Sequence, residues 1–188
     1  GEVRTYFWDH DREAQMDLHK DAVDDVAWLG TESDQTVHMT LVRHGEAQSN
    51  ADKVENGWSD DPLTETGRAQ AKAAAELLQE HMFDAVVCSD LPRAKETAQI
   101  ITNALGLSID AEWPELRERN TGDWEGQPQE KIRSDHPPVE EGLLTTSFHH
   151  DTPENGETLS EFLQRADTAR RRLRQEFAGK RVLVVSHG

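Results

Sequence analysis

Apolar positions fall into two kinds of pattern along the chain. Residues 39–42, 85–88 and 182–185 are short runs, dense in valine and leucine and nearly free of polar side chains. A strand with one wet face would alternate, so unbroken runs predict strands covered on both faces. Between them, apolar residues recur with helical spacing. Residues 65–81 carry Ala71, Ala74, Ala75 and Leu78 along one side, and Thr64 stands where an N-cap would accept the first free amides. Pro92 suits the first turn of a helix running to Leu105, with Gly106 placed to end it. Leu159, Phe162, Leu163, Ala166, Leu173 and Phe177 predict one apolar side of a third helix that Gly179 terminates. Strand and helix alternating in this order predict an α/β fold with a largely parallel sheet. In open sheets of that kind ligands bind beyond the carboxyl ends of the strands, where His44, Ser89 and His187 fall.

Composition narrows the picture. A chain of 188 residues with 35% hydrophobic content is long enough for one cored domain and not comfortably for two. Its 20 Lys+Arg against 37 Asp+Glu leave a formal net charge of -17. Such a chain repels nucleic acid and anionic lipid, so neither is an expected partner. Any phosphate-bearing ligand must be held by a small, focused group of cations against the overall field. Cys88 is the only cysteine, which excludes an internal disulfide and suits a reducing compartment. No apolar run approaches the ~20 residues needed to cross a bilayer, and the acidic amino terminus lacks the features of a signal peptide. The expected location is the cytoplasm.

The chemistry-bearing residues lie where the first and last apolar runs stop. Leu41-Val42 leads into Arg43-His44-Gly45-Glu46, with Asn50 a few residues on, and Val184-Val185 leads into Ser186-His187-Gly188. Between these ends come Gly57-Trp58 with Asp61-Pro62-Leu63-Thr64, then Ser89-Asp90-Leu91-Pro92-Arg93-Ala94, then Leu116-Arg117-Glu118 with Gly122-Asp123-Trp124-Glu125-Gly126, then Gly156-Glu157-Thr158. One Arg-His-Gly tripeptide is weak evidence, but this ordered series resembles the histidine phosphatase superfamily, also called phosphoglycerate-mutase-like. The resemblance covers residues 39–188. It implies a three-layer α/β/α sandwich around a mostly parallel central sheet.

Phosphoryl transfer explains why these residue types are needed. A nucleophile approaching a phosphomonoester dianion must be neutral enough to come near and basic enough to attack, and a deprotonated imidazole meets both demands. His44 is the candidate nucleophile. The resemblance sets Arg43, Arg93 and His187 around the transferring group, with Asn50 adding a neutral donor and protonated His187 offsetting charge as the transition state forms. It makes Glu118 the acid that protonates the leaving oxygen, Glu115 being a less well matched candidate. The scheme calls for no metal and no cofactor.

Family mutases carry a long insertion before the Gly-Glu-Ser/Thr segment, whereas here only residues 127–155 intervene, reading as a loop with one short helix. That implies the compact phosphatase branch, a hydrolase of small phosphorylated metabolites working through phosphohistidine. The alternatives are mutase-type transfer and a catalytically weak regulatory or binding module. The domain is expected to span 38–188 and to lack the family's usual C-terminal portion. Residues 1–37 read as an N-terminal extension, either a remnant of a Nudix-like domain without its Nudix box or an added strand and loop. Trp58 and Trp124 are expected to pack near the pocket. The His136, His149 and His150 group lacks metal-ligand spacing, and Arg170, Arg171, Arg172 and Arg174 read as an ion-paired helix surface rather than a nucleic-acid groove.

Overall fold

The computed structural model describes residues 3–6, 36–136 and 152–187. Among them five strands form one sheet: β1 (Val3–Tyr6), β2 (His38–Arg43), β3 (Ala85–Ser89), β4 (Ala111–Trp113) and β5 (Arg181–Ser186), in the order β1-β2-β5-β3-β4. β1 pairs antiparallel with β2, and every other pairing is parallel. The three anticipated strands are therefore its centre, and β5, last in the sequence of strands, lies between β2 and β3. Val182, Leu183, Val184 and Val185 are fully buried, as an unbroken apolar run in a doubly covered strand requires.

Helices cover both faces. α2 (Glu65–Leu77) and α3 (Pro92–Leu105) follow the short α1 (Gln48–Asp52) and pack Ala74, Ala75, Leu78, Ala94, Ala98 and Ile101 against one side of the sheet. On the other side α5 (Leu159–Glu176) sets Leu173 and, just beyond it, Phe177 against Val87, Trp113, Val182 and Val184. This is the anticipated α/β/α layering. α4 (Gln129–Asp135) is the short helix expected after residue 127. No helix among the described residues is long and apolar enough to cross a membrane.

The end signals operate as anticipated. Thr64 Oγ1 accepts from Gly67 N at 3.0 Å, Pro92 opens α3, and Gly106 takes the left-handed conformation at φ 68. α2 stops at Leu77, short of the predicted residue 81. α5 departs more. Leu163 is 56% exposed and Ala166 also faces solvent, while Arg165 and Ala169 turn inward. Hydrophobicity placed the wrong neighbours inside because Arg165 has polar partners beneath the helix. Three of the four arginines predicted to form an ion-paired surface do so: Arg170 and Arg171 pair with Asp167, and Arg172 with Glu176. β4, three residues long, was not anticipated, and His149 and His150 lie outside the described residues.

One close approach holds the loop after β2. A Cβ on Gly67 would strike the Glu46 carbonyl, and one on Gly45 the Gly67 carbonyl. Both obstacles are backbone and cannot swing away. Gly→Ala inside a helix ordinarily stabilises by up to ~1 kcal/mol. Gly67→Ala is expected instead to destabilise by about 2–3 kcal/mol, read as a lower denaturant midpoint at unchanged m-value.

Candidate active site

The register between β2 and β5 assembles the site. Arg43 pairs with Ser186, His44 N donates to Ser186 O at 2.9 Å, and the residues just past each strand, His44 and His187, bring their ring centroids to 5.0 Å. Ser89, ending β3, contacts His187 Nε2 through its hydroxyl at 2.9 Å. Three strand ends thus converge at the sheet's carboxyl edge.

His44 is held in one tautomer. Its Nδ1 lies 2.7 Å from Gly45 O, a distance at which Nδ1 must carry the proton, since a carbonyl only accepts. Nε2 keeps its lone pair, and Arg93 Nε donates to it at 3.3 Å. Burial first, and then the Arg93 and Arg43 charges, pull the imidazole down to about 4, against the opposing pull of the Gly45 bond. The ring is neutral at physiological pH, as the sequence argument required.

Arg93 is 3% exposed and enters from the first turn of α3. One arm, Nη2, donates to Gly57 O at 2.8 Å, while Nη1 is buried without a partner among the described residues. Burial lowers its proton affinity, with Glu118 and Asp61 acting in the opposite sense. An enclosed guanidinium with donors to spare is a site built for an anion. Arg43, His44, Asn50, Arg93 and Glu118 line one cavity of about 240 Å³. Asn50 commits its Oδ1 to Ala47 N at 3.0 Å, which leaves its NH₂ as the donating end.

Glu118 takes a bond from Arg119 N at 2.8 Å. Burial raises its carboxyl above the usual range, outweighing Arg119 N, Arg93 and Arg43. Glu115 is not on the cavity wall and approaches Arg172 at 3.6 Å instead. His187 lies beside His44, and its resting charge is set by its surroundings. Burial, then the Arg93 and His44 charges, hold it well below the ordinary imidazole range, so it is neutral in the unliganded protein rather than protonated. Its Nδ1 is buried with no partner among the described residues.

Trp58 and Trp124 lie by the pocket as expected, and the rest of a supporting layer went unseen in the sequence. Arg165 reaches from α5 to the carbonyls of Glu115, Arg117 and Glu118 at 3.1, 2.8 and 2.9 Å, and pairs through two nitrogens with Glu157. Glu157 also accepts from Asn120 N. Glu125 accepts from the amides of Gly57 and Trp58 and from Ser59 Oγ. Trp58 donates Nε1 to Glu118 O at 2.8 Å, while Trp124 lines the cavity. Asp61, 5% exposed, ties Ser49 to Asn56. Polar side chains thus immobilise the loops by bonding backbone, which a linear pattern does not advertise.

With this geometry in view, the relationship is plain: residues 39–188 match the histidine phosphatase superfamily, branch 1, and the chain belongs to that family. It is 36% identical over 151 residues to phosphoglycerate mutase-like protein 4 of Arabidopsis thaliana, covering 80% of this chain and 66% of that one. To the adenosylcobalamin/alpha-ribazole phosphatase of Escherichia coli it is 34% identical over 151 residues, covering 80% and 73%. The solved structure of Bacillus stearothermophilus YhfR superposes with a TM-score of 0.69 at 33% identity, covering 81% of this chain and 75% of that one.

The neutral ring has a measurable signature. A titration of ring nitrogen shifts is expected to show His44 protonating at about 4 rather than 6.5, with Nδ1 carrying the proton above that. The unfolded ring takes up its proton near ~6.5, so His44 contributes stability that is complete above that pH and is lost as pH falls toward 4. His44→Gln should flatten the acid limb of the stability profile over that window.

Proposed function

We propose that this protein is a phosphomonoester hydrolase in which His44 is the nucleophile. The observation that carries the reading is the pairing of an uncharged His44, its Nε2 lone pair free of a proton, with the buried and incompletely bonded Arg93. Neither group is useful to the fold alone: a buried cation without a carboxylate costs stability. Together they fit a phosphoryl dianion.

The reaction runs in two displacements. Nε2 of His44 attacks phosphorus, an N–P bond forms, and the ester P–O bond breaks as Glu118 gives its proton to the departing oxygen. Arg43, Arg93 and the Asn50 amide hold the peripheral oxygens. A bound dianion reverses the field at His187, drawing a proton onto the ring whose Nδ1 has no partner among the described residues and making it the donor that its neutral resting state is not. Water then attacks the phosphohistidine, passes its proton to the Glu118 carboxylate, and releases inorganic phosphate and neutral His44. Every charge that the transferring group needs comes from side chains, so the reading includes no metal. The substrate is a small phosphorylated metabolite, an assignment also in keeping with the phosphatase relative in Escherichia coli.

His44→Ala is expected to lower kcat on p-nitrophenyl phosphate by about 10³-fold or more, the scale of losing a covalent nucleophile. Wild-type activity should survive EDTA, and quenching with ³²P-labelled ester should leave an acid-labile label on the peptide containing His44. Label elsewhere, or none despite rapid turnover, contradicts the reading.

Glu118 has its own test. A nitrophenolate leaves without help, whereas an alkoxide needs a proton. Glu118→Gln should therefore depress kcat for alkyl phosphates roughly tenfold or more beyond its effect on p-nitrophenyl phosphate. Equal losses on both would remove Glu118 from the acid role.

A further inference from the structure

The cavity is not uniform in what it offers a ligand. Part of its lining presents donors: Arg43, Arg93 and the Asn50 amide. The wall formed by the chain leading into Gly57 presents acceptors. Glu55 lines the cavity, and no residue hydrogen-bonds or ion-pairs with its carboxylate among the described residues. Its main chain is fixed on both sides, Glu55 N donating to Gln127 O and Gly126 N to Glu55 O, both at 2.8 Å, so the residue is held at the wall. Asn56, next along, also lines the cavity. Its Nδ2 donates to Asp61 Oδ2 at 3.0 Å, and because a carboxylate accepts only, this orients the amide and leaves Oδ1 as the other end. That Oδ1 is buried with no partner among the described residues.

Glu55 thus places an unused acceptor on a cavity whose lining also holds unused donors, and the unpartnered Asn56 Oδ1 belongs to the next residue along. A buried polar atom without a partner is costly, and a ligand that supplies the partner recovers that cost. The complementary molecule is anionic at one end and rich in hydrogen-bond donors at the other. A second anion beside Glu55 would meet its carboxylate, although Arg119 lines the cavity too. Charged groups around Glu55 temper this without cancelling it: Arg133 and Arg119 lower its pKa and Glu125 raises it, while burial, the largest effect, raises it. Arg119 is itself engaged through Nε with Glu157 O at 3.0 Å.

We propose that Glu55, assisted by Asn56, is the specificity-determining element for the alcohol half of the substrate. It selects phosphomonoesters whose leaving group carries hydroxyl or ammonium donors and rejects those carrying a carboxylate or a second phosphate. The inference rests on the phosphatase reading for the position of the phosphoryl group, and it adds the chemical class of what is attached.

A matched pair of esters tests it. Glycerol 3-phosphate and 3-phosphoglycerate share a skeleton and differ only in a hydroxymethyl group against a carboxylate. Wild type should favour the former in kcat/KM by about tenfold or more, the scale of one partly screened charge pair. Glu55→Gln should shrink that ratio roughly tenfold, Glu55→Lys should invert it, and Asn56→Ala should shrink it less. The ratio is the right quantity because Glu55 also raises the Glu118 carboxyl electrostatically, an effect common to both esters that divides out. A ratio unchanged within about twofold in both Glu55 variants overturns the proposal, as does a wild-type preference for the carboxylate. The same ratio, read calorimetrically as dissociation constants on a His44→Ala background, requires no turnover. Absent hydrolysis of any ester would defeat the phosphatase reading, while the binding ratio would still decide the role of Glu55.

Discussion

A guanidinium sealed against an uncharged imidazole is the constraint around which this molecule is arranged. Arg93 is buried almost completely, bonds Gly57 O with one arm and faces His44 with another, and has no carboxylate tied directly to it among the described residues. Isolated burial of a charge is among the most unfavourable things a fold can do. It persists because the elements bringing it there are over-determined. Thr97, one turn along α3, binds Gly45 N and Arg93 O with the same hydroxyl, and the Gly45–Gly67 contact leaves the loop after β2 no room to relax. The same charge helps to keep the His44 and His187 rings neutral. One buried cation therefore adds to burial in holding two neighbours uncharged.

Geometry around that pair is maintained from outside by carboxylates that bond main chain. Glu125 grips the amides of Gly57 and Trp58, whose preceding residues form the acceptor wall. Glu157 grips Asn120 N and the Arg165 fork, and Arg165 in turn caps three carbonyls of the segment bearing Glu118. Trp58 closes the loop between them, donating to Glu118 O with the Arg117 guanidinium stacked 4.8 Å over its ring. The segments bearing Glu118, Arg93 and Glu55 are thus tied to each other, so displacement of one loop is felt by the others.

These relationships explain which parts of the molecule were legible in its sequence. The sheet core was legible because a doubly buried strand has to be apolar throughout, and the site at its edge because Arg-His-Gly and Ser-His-Gly sit where apolar runs stop. β4 was not, since three residues carry no period. Arg165 was concealed for a different reason: within an arginine-rich helix it looks like the solvated Arg170 and Arg171, and only the carbonyls beneath α5 distinguish it. Periodicity turned Leu163 inward in its place. The neutral state of His187 was equally out of reach, because it depends on burial and on charges from Arg93, Arg43 and Arg165 that converge only in three dimensions. Glu55 and Asn56 gave no signal, being ordinary loop residues until the wall they form is seen.

Two electric fields act on an approaching phosphate ester, and they differ in reach. The net charge of -17 opposes any anion at long range, but salt screens it over ~8 Å at physiological ionic strength. The pocket's cations act inside that distance, in an enclosed volume where screening is weak and each charge counts for more. A small monoester dianion has one charged end and can deliver it to Arg43 and Arg93 while its remainder lies against the acceptor wall. A molecule bearing many phosphates pays the exterior repulsion repeatedly and can satisfy the cradle only once. On the proposed phosphatase reading, global acidity and a local cationic cradle work together as a filter on charge distribution, favouring ligands whose negative charge is concentrated at a single terminus.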